Sequence, residues 1–254
     1  MKKNNIFKIF LCLCYSIQLF SYQFVQRKEH QNLKVSVIIP CAGQHFYCLK
    51  SLFKLLQNQT CIPDEVVVSL SSTEHLNSEE IEQLKNEIFP FKTKILCFQG
   101  KQSAGKNRNI ACSHAEGDIL IAQDADDIPH PQRIEIIKYV FENYATEHLL
   151  HSYFVGEKPF SPYDVSDIKI YQYPTYNAID FSNEFHDRIH NGNIAISKKL
   201  SRLVKWEDAL PEDHDVQFNR NVYRMTRNTH AILCDLIMYR PQLSSFKPSN
   251  IPWE

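Results

Sequence analysis

Ser103 to Pro131 reads SAGKNRNIACSHAEGDILIAQDADDIPHP. A helix, a buried strand and a knot of acids follow one another in it without a spacer. Ser103 is a good N-cap for a helix over Ala104–Ala115, and Gly117 stands where a helix-ending glycine is expected. Asp118–Gln123, DILIAQ, is too short and too apolar for a surface helix and reads as a buried strand. It runs directly into Asp124-Ala125-Asp126-Asp127. Pro131 suits the first turn of a further helix, whose apolar face is Ile134, Ile137 and Phe141.

The same alternation extends towards the N-terminus. Lys34–Pro40, KVSVIIP, is a β-branched run stopped by proline, and Glu65–Leu70, EVVVSL, is another. Phe46, Leu49, Phe53 and Leu56 recur at helical spacing between them. Ser78 opens a second helix with Ile81, Leu84 and Ile88 on one face, and Lys94–Phe98 is the next strand. Strand and helix alternating in this way predict an α/β fold: a mainly parallel central sheet with helices on both faces. Beyond Asn143 the pattern loosens. Leu149–Val155, Asn191–Ser197 and His230–Tyr239 read as strands, Pro211–Arg224 as a helix, and Glu157–Asp187 as an irregular lobe.

Bulk composition excludes some function classes. With 28 basic and 29 acidic residues the net charge is −1, so no strong field draws nucleic acid or an anionic membrane. Six glycines and no internal period exclude a repeat or low-complexity chain. The cysteines after the N-terminal segment are scattered without a CxxC pair, which argues against a zinc site. Several, such as Cys97 and Cys234, lie in apolar runs and suit small buried hydrophobes; the even count leaves a disulfide framework open. Lys2 and Lys3 precede an apolar run from Ile6 to Phe20, so residues 1–22 are expected to be a secretory signal or an N-terminal anchor. A cytoplasmic protein with an amphipathic extension is the alternative. Residues 23–32 read as a polar linker and 33–254 as the folded domain.

Three constellations carry chemistry. Asp124 and Asp126 stand at i and i+2 after a buried strand, so on extended backbone both point the same way. That places two carboxylates just outside the carboxyl edge of the sheet, where open α/β folds bind ligands. Mg²⁺ and similar hard cations take one or two carboxylates and fill the shell with substrate phosphate; a plain acidic turn is the other reading. Lys101–Asn109 sets Lys101, Lys106 and Arg108 at a helix start, an arrangement suited to phosphate or to a solvated basic face. Leu210–Asp215 holds Glu212, Asp213 and Asp215, acids that suit either a helix dipole or a general base for a hydroxyl acceptor.

Residues Val35–Pro131 resemble the family 2 glycosyltransferases, which have the GT-A fold. VSVIIP (Val35–Pro40) looks like the family's opening strand. Ser103–Pro131 looks like its arginine-asparagine helix and DxD strand, with Asp124 and Asp126 in the DxD positions. PEDHDVQF (Pro211–Phe218) is similar to its later glutamate-aspartate motif. The resemblance implies inverting transfer of a sugar from a nucleoside-diphosphate sugar to a hydroxyl of a glycan, lipid or protein. It implies Mn²⁺ or Mg²⁺ on Asp124 and Asp126, and donor contacts from Pro40, Ser69, Arg108, Asn109 and Asp124. The implied base is Asp213, with Glu212 as second choice. The chain also departs from the family pattern. Ser69-Leu70-Ser71-Ser72 replaces the usual acids after the second strand, Ala111 a frequent glycine, and Gln242 a histidine that binds metal in many members. These changes motivate the alternative, a silent GT-A-fold protein that binds a glycan or nucleotide sugar. A nucleotidyltransferase also uses paired aspartates, but no glycine-rich phosphate loop follows the first strand.

Overall fold

The computed structural model describes residues 32–156, 158–172, 194–208 and 214–239. β1 (Val35–Ala42), β2 (Glu65–Ser71), β3 (Lys92–Cys97) and β4 (Ile119–Ala122) are parallel neighbours in the order β3-β2-β1-β4. Their apolar runs do not alternate because both faces of β1, β2 and β4 are covered. Val37 and Ile39 face one core layer and Ile38 the other. The first layer is closed by α1 (Cys48–Gln57), α2 (Ser78–Asn86) and α4 (Arg133–Asn143). The second is closed by α3 (Ala104–His114), α5 (Lys198–Leu203) and α6 (His214–Met225). The three-layer architecture and its mainly parallel sheet agree with the reading of the sequence.

The second half of the sheet is mixed. β8 (Ala195–Ser197) lies antiparallel between β4 and β6 (His148–Val155). β9 (Thr229–Tyr239) runs parallel to β6. The other side of β9 is shared by β7 (Ile170–Gln172) and β5 (Ile128–Pro129), both antiparallel to it. β7 shows that part of the expected irregular lobe joins the sheet. Neither short strand has a period that marks it in the sequence. The carboxyl ends of β1, β2 and β4 share one edge, and α3, running back against them, brings its start to that edge.

Several local expectations need correction. Gly117 does not end α3 in a left-handed conformation, since only Gly100 and Gly156 among the described glycines have positive φ. Glycine is required there because β1 passes so close: a Cβ would sit 2.6 Å from Ser36 Oγ and 2.7 Å from Ser36 N. The end of α3 is closed instead by the Lys198 ammonium, which donates to the carbonyls of Cys112 and Ala115, both at 2.7 Å. Pro131 precedes the N-cap Gln132 rather than occupying the first turn of α4. Ile88 lies past the end of α2 and is exposed, as is Cys97. All six described cysteines are free thiols. Among the described residues no helix is long and apolar enough to cross a membrane; the signal-like segment at residues 1–22 lies outside them.

Two buried histidines make the fold sensitive to acid. His148 and His230 are buried on β6 and β9. Thr229 Oγ1 is 3.4 Å from His148 Nδ1, and Thr146 Oγ1 is 3.0 Å from His230 Nδ1. Burial lowers His148 to about 3 and His230 to about 4. Both rings are therefore neutral in the fold, whereas the unfolded chain protonates them near 6.5. Their stability contribution is complete above pH ~6.5 and is lost as pH falls towards the folded values. The unfolding free energy from urea melts is expected to fall from pH 6.5 to pH 4.5, by about 1.4 kcal/mol per pH unit for each fully titrating histidine. Replacing both with glutamine should flatten that slope.

Candidate active site

The acidic turn after β4 is assembled by two buried arginines. On the first core layer, Arg133 of α4 donates to the Ala122 carbonyl at 2.8 Å and to Gln123 Oε1 at 3.0 Å. Its guanidinium also lies against His151 Nε2. Gln123 in turn donates from Nε2 to the main-chain carbonyls of Asp124 and Asp127. Asp127 N closes the turn onto the Asp124 carbonyl at 3.3 Å. Burial lowers the Arg133 pKa to about 9, against the pull of Asp127 and Asp124, so it remains a cation at neutral pH. Asp124–Asp127 is thus a braced turn, built by a fully buried glutamine and arginine.

On the opposite layer, Arg108 of α3 reaches the same turn. Its side chain is 3% exposed, and its two terminal nitrogens divide between two carboxylates. Nη2 donates to Asp124 Oδ1 and Nη1 to Asp215 Oδ1, both at 2.8 Å. Burial disfavours the charged guanidinium, but Asp124 and Asp215 outweigh it and hold its pKa above the usual value. The Trp206 indole N–H donates to the same Asp215 oxygen at 3.0 Å. Asp124 and Asp215 are 25% and 21% exposed, so both open towards solvent at the sheet edge.

The remaining sequence candidates are placed differently. Pro40 and Ser69 are register partners in β1 and β2, and both are buried. The Ser69 hydroxyl donates to Asn107 Oδ1 at 2.9 Å, and Asn107 donates back to Ser71 Oγ at 3.0 Å. Ser69 therefore ties β2 to α3. Asn109 donates to the Trp206 carbonyl and accepts from its N–H, at 2.8 and 3.0 Å, clipping the 204–208 segment onto α3. The start of α3 is not an open phosphate cradle. Ser103 caps Lys106 N and donates to Asp208 at 2.9 Å, while a Cβ on Gly105 would meet Trp206 and Glu207 at 3.0 Å. Glu212 and Asp213 lie outside the described residues, as does Gln242. Sequence reasoning missed Gln123, Arg133 and Trp206 as parts of the site, and grouped Asp215 with the neighbouring acids without pairing it to Arg108. A glutamine and an arginine inside apolar runs were the available signal for the first two.

The donor set suits a hard divalent cation. Asp124 and Asp126 feel each other's charge, and burial, with Asp124 adding to it, raises the Asp126 pKa despite His45 nearby. A cation would relieve that repulsion. Cys41 and Cys48 stand near Asp126, but burial raises both thiols, Cys48 to about 11, so neither offers a thiolate. Among the described residues no cluster of three or more histidines, cysteines or acids could hold a metal. Substrate phosphate and water would therefore complete the shell.

This fold is that of a known family. The sequence profile of glycosyl transferase family 2 matches residues 36–202, and the chain belongs to that family. A relative described as an uncharacterized glycosyltransferase of Methanocaldococcus jannaschii is 28% identical over 195 residues, 72% of this chain and 62% of its own length. Among solved structures, S. aureus TarS residues 1–349, in complex with UDP, matches 82% of this chain with a TM-score of 0.63 and 18% identity. A mannosyltransferase from Pyrobaculum calidifontis, in complex with GDP-Man and Mn²⁺, matches 84% with a TM-score of 0.57 and 17% identity. These neighbours share the GT-A fold. The present chain spans about three fifths of each of these relatives: 62%, 60% and 57%.

The two Asn109 bonds give a stability prediction. Asn109→Ala removes both and leaves the Trp206 main chain to find water. A loss of about 1–3 kcal/mol is expected in urea unfolding, whereas Lys106→Ala, at an exposed neighbouring position, should change stability by less than about 0.5 kcal/mol.

Proposed function

We propose that this chain transfers a sugar from a nucleoside-diphosphate sugar to a hydroxyl of a glycan, lipid or protein acceptor, with inversion and with Mn²⁺ or Mg²⁺. The observation that carries the reading is the braced pair Asp124 and Asp126 at the carboxyl edge of β4, with Arg108 fixed on Asp124. Family membership supports the reaction class. Structures of TarS with UDP and UDP-GlcNAc, and of the mannosyltransferase with GDP-Man and Mn²⁺, support the donor class and the cation.

In this reading Asp124 and Asp126 hold the cation, which when bound supplies neutralising charge to the diphosphate leaving group. Arg108 fixes the orientation of Asp124 before substrate arrives, so little reorganisation is left for the reaction itself. Asp213, or failing that Glu212, takes the proton from the acceptor hydroxyl. Its place just ahead of α6 in the chain, two residues before Asp215, supports the assignment. The basic and apolar run before residue 22 supports entry into a secretory route or attachment through the N-terminus. N-terminal sequencing of the mature protein, combined with fractionation, checks that point.

Two variants test the chemistry. Asp126→Asn is expected to abolish the Mn²⁺-dependent part of donor binding in calorimetry while the far-UV spectrum stays native. Asp213→Asn should retain donor affinity and lose turnover by roughly 10²–10⁴, read as UDP or GDP release across a panel of nucleotide sugars. Tight donor binding by the wild type without any release, with or without acceptors, would identify a silent binding protein instead.

A further inference from the structure

We propose that Asp215 is a positioning residue for the cation site: by taking one arm of Arg108, it keeps Asp124 available to a divalent cation. The proposal rests on the transferase reading and adds to it a residue outside the DxD pair and the candidate bases.

The argument begins with the Arg108 charge. The guanidinium is almost wholly removed from water, and a buried charge needs counter-charge close by. Two carboxylates supply it, each through one oxygen at 2.8 Å and each on a different guanidinium nitrogen. Arg108 with Asp124 and Asp215 therefore sums to one negative charge, and Asp126 adds another close by. Without the Asp215 charge, a larger share of the neutralisation of Arg108 falls on Asp124. The preferred geometry of such a pair is bidentate, with both carboxylate oxygens on the guanidinium. Asp124 would then serve as an internal counter-ion, and the edge would present one negative charge fewer to a cation.

Asp215 is itself held in place. The Trp206 indole N–H donates to the oxygen that Arg108 uses, and the Trp206 ring stacks on Phe218 of α6 with centroids 3.7 Å apart and planes at 1°. Asn109 fixes the Trp206 main chain from α3. The path from Trp206 through Asp215 and Arg108 to Asp124 thus joins α6 to the metal side of the site through hydrogen bonds of 3.0 Å or less.

The test measures Mn²⁺ affinity directly, by the free-Mn²⁺ electron paramagnetic resonance signal in the presence of UDP, on the full chain. Asp215→Asn is expected to weaken Mn²⁺ binding roughly 10–100-fold, the usual effect of removing a partner of a metal ligand. UDP affinity in EDTA should stay within about twofold. Asp215→Glu should restore most of the loss. Trp206→Phe keeps an aromatic ring against Phe218, removes the bond to Asp215 and shortens the ring that faces the Arg108 guanidinium at 5.9 Å. It should shift Mn²⁺ affinity in the same direction by less, which keeps the proposal testable if Asp215→Asn does not fold. Unchanged Mn²⁺ affinity in folded Asp215→Asn, with only a lower Tm, would overturn the proposal and leave the transferase reading intact. A wild type that transfers sugar without binding Mn²⁺ would overturn the proposal and the metal part of the transferase reading, and leave sugar transfer itself standing. A wild type that binds neither UDP nor any nucleotide sugar would sink both.

Discussion

A guanidinium stripped of its water must find compensation inside the fold, and Arg108 sets that demand. The hydrogen bonds of Arg108 reach the turn after β4 and the first turn of α6, and its own helix packs on β1 and β2. Leaving such a charge unpaired costs several kcal/mol, a large share of the stability of a domain this size. The relative positions of α3, β4 and α6 are therefore constrained by one cation as well as by apolar packing. The aspartates at the sheet edge inherit their placement from this requirement.

Arg133 applies the same constraint from the other face of the sheet. It grips the main chain at Ala122 and the side chain of Gln123, and Gln123 passes the grip to the carbonyls of Asp124 and Asp127. One turn is thus clamped by α3 on one side and by α4 on the other. Acidic turns at a surface normally rely on water to screen their mutual repulsion. Here two buried cations do part of that work before any ligand binds.

The framework was legible because its signals are local. KVSVIIP, EVVVSL and DILIAQ are short apolar runs with clear stops, and parallel burial on two faces leaves no other economical reading. The place of Asp124 and Asp126 just after a strand was legible for the same reason, but Asp124–Asp127 forms a turn and not extended backbone, so the i, i+2 spacing does not set their directions. Arg108 stood out as a cation on the helix just before. Ser69 and Asn109 were read as donor contacts, yet both hydrogen-bond within the protein, because an uncharged polar side chain near an edge gives no hint of whether it faces in or out. Asp215 was read as one of several acids at a helix start. Only the fold brings it to Arg108, 107 positions earlier in the chain. Gly117 was given a conformational role, whereas its place is dictated by how closely Ser36 passes, a distance no sequence pattern encodes.

The closing of α3 by Lys198 has a consequence for how the molecule comes together. The helix that carries Arg108 has its His114 carbonyl satisfied by Lys94 of β3, but those of Cys112 and Ala115 by a residue 86 positions beyond Cys112, and its first turns are covered by Trp206. β4 likewise gains its outer neighbour only when β8 arrives. A ribosome that has released only the stretch through α4 has delivered β1 to β4 but not the parts that finish α3. Such non-local closure slows folding, because the loop must be ordered before its contacts form. The parallel half of the sheet is therefore not a free-standing module. Cut between Asn143 and Lys198, the chain would lose one of the two cations at the end of its central helix and the aspartate that shares its arginine.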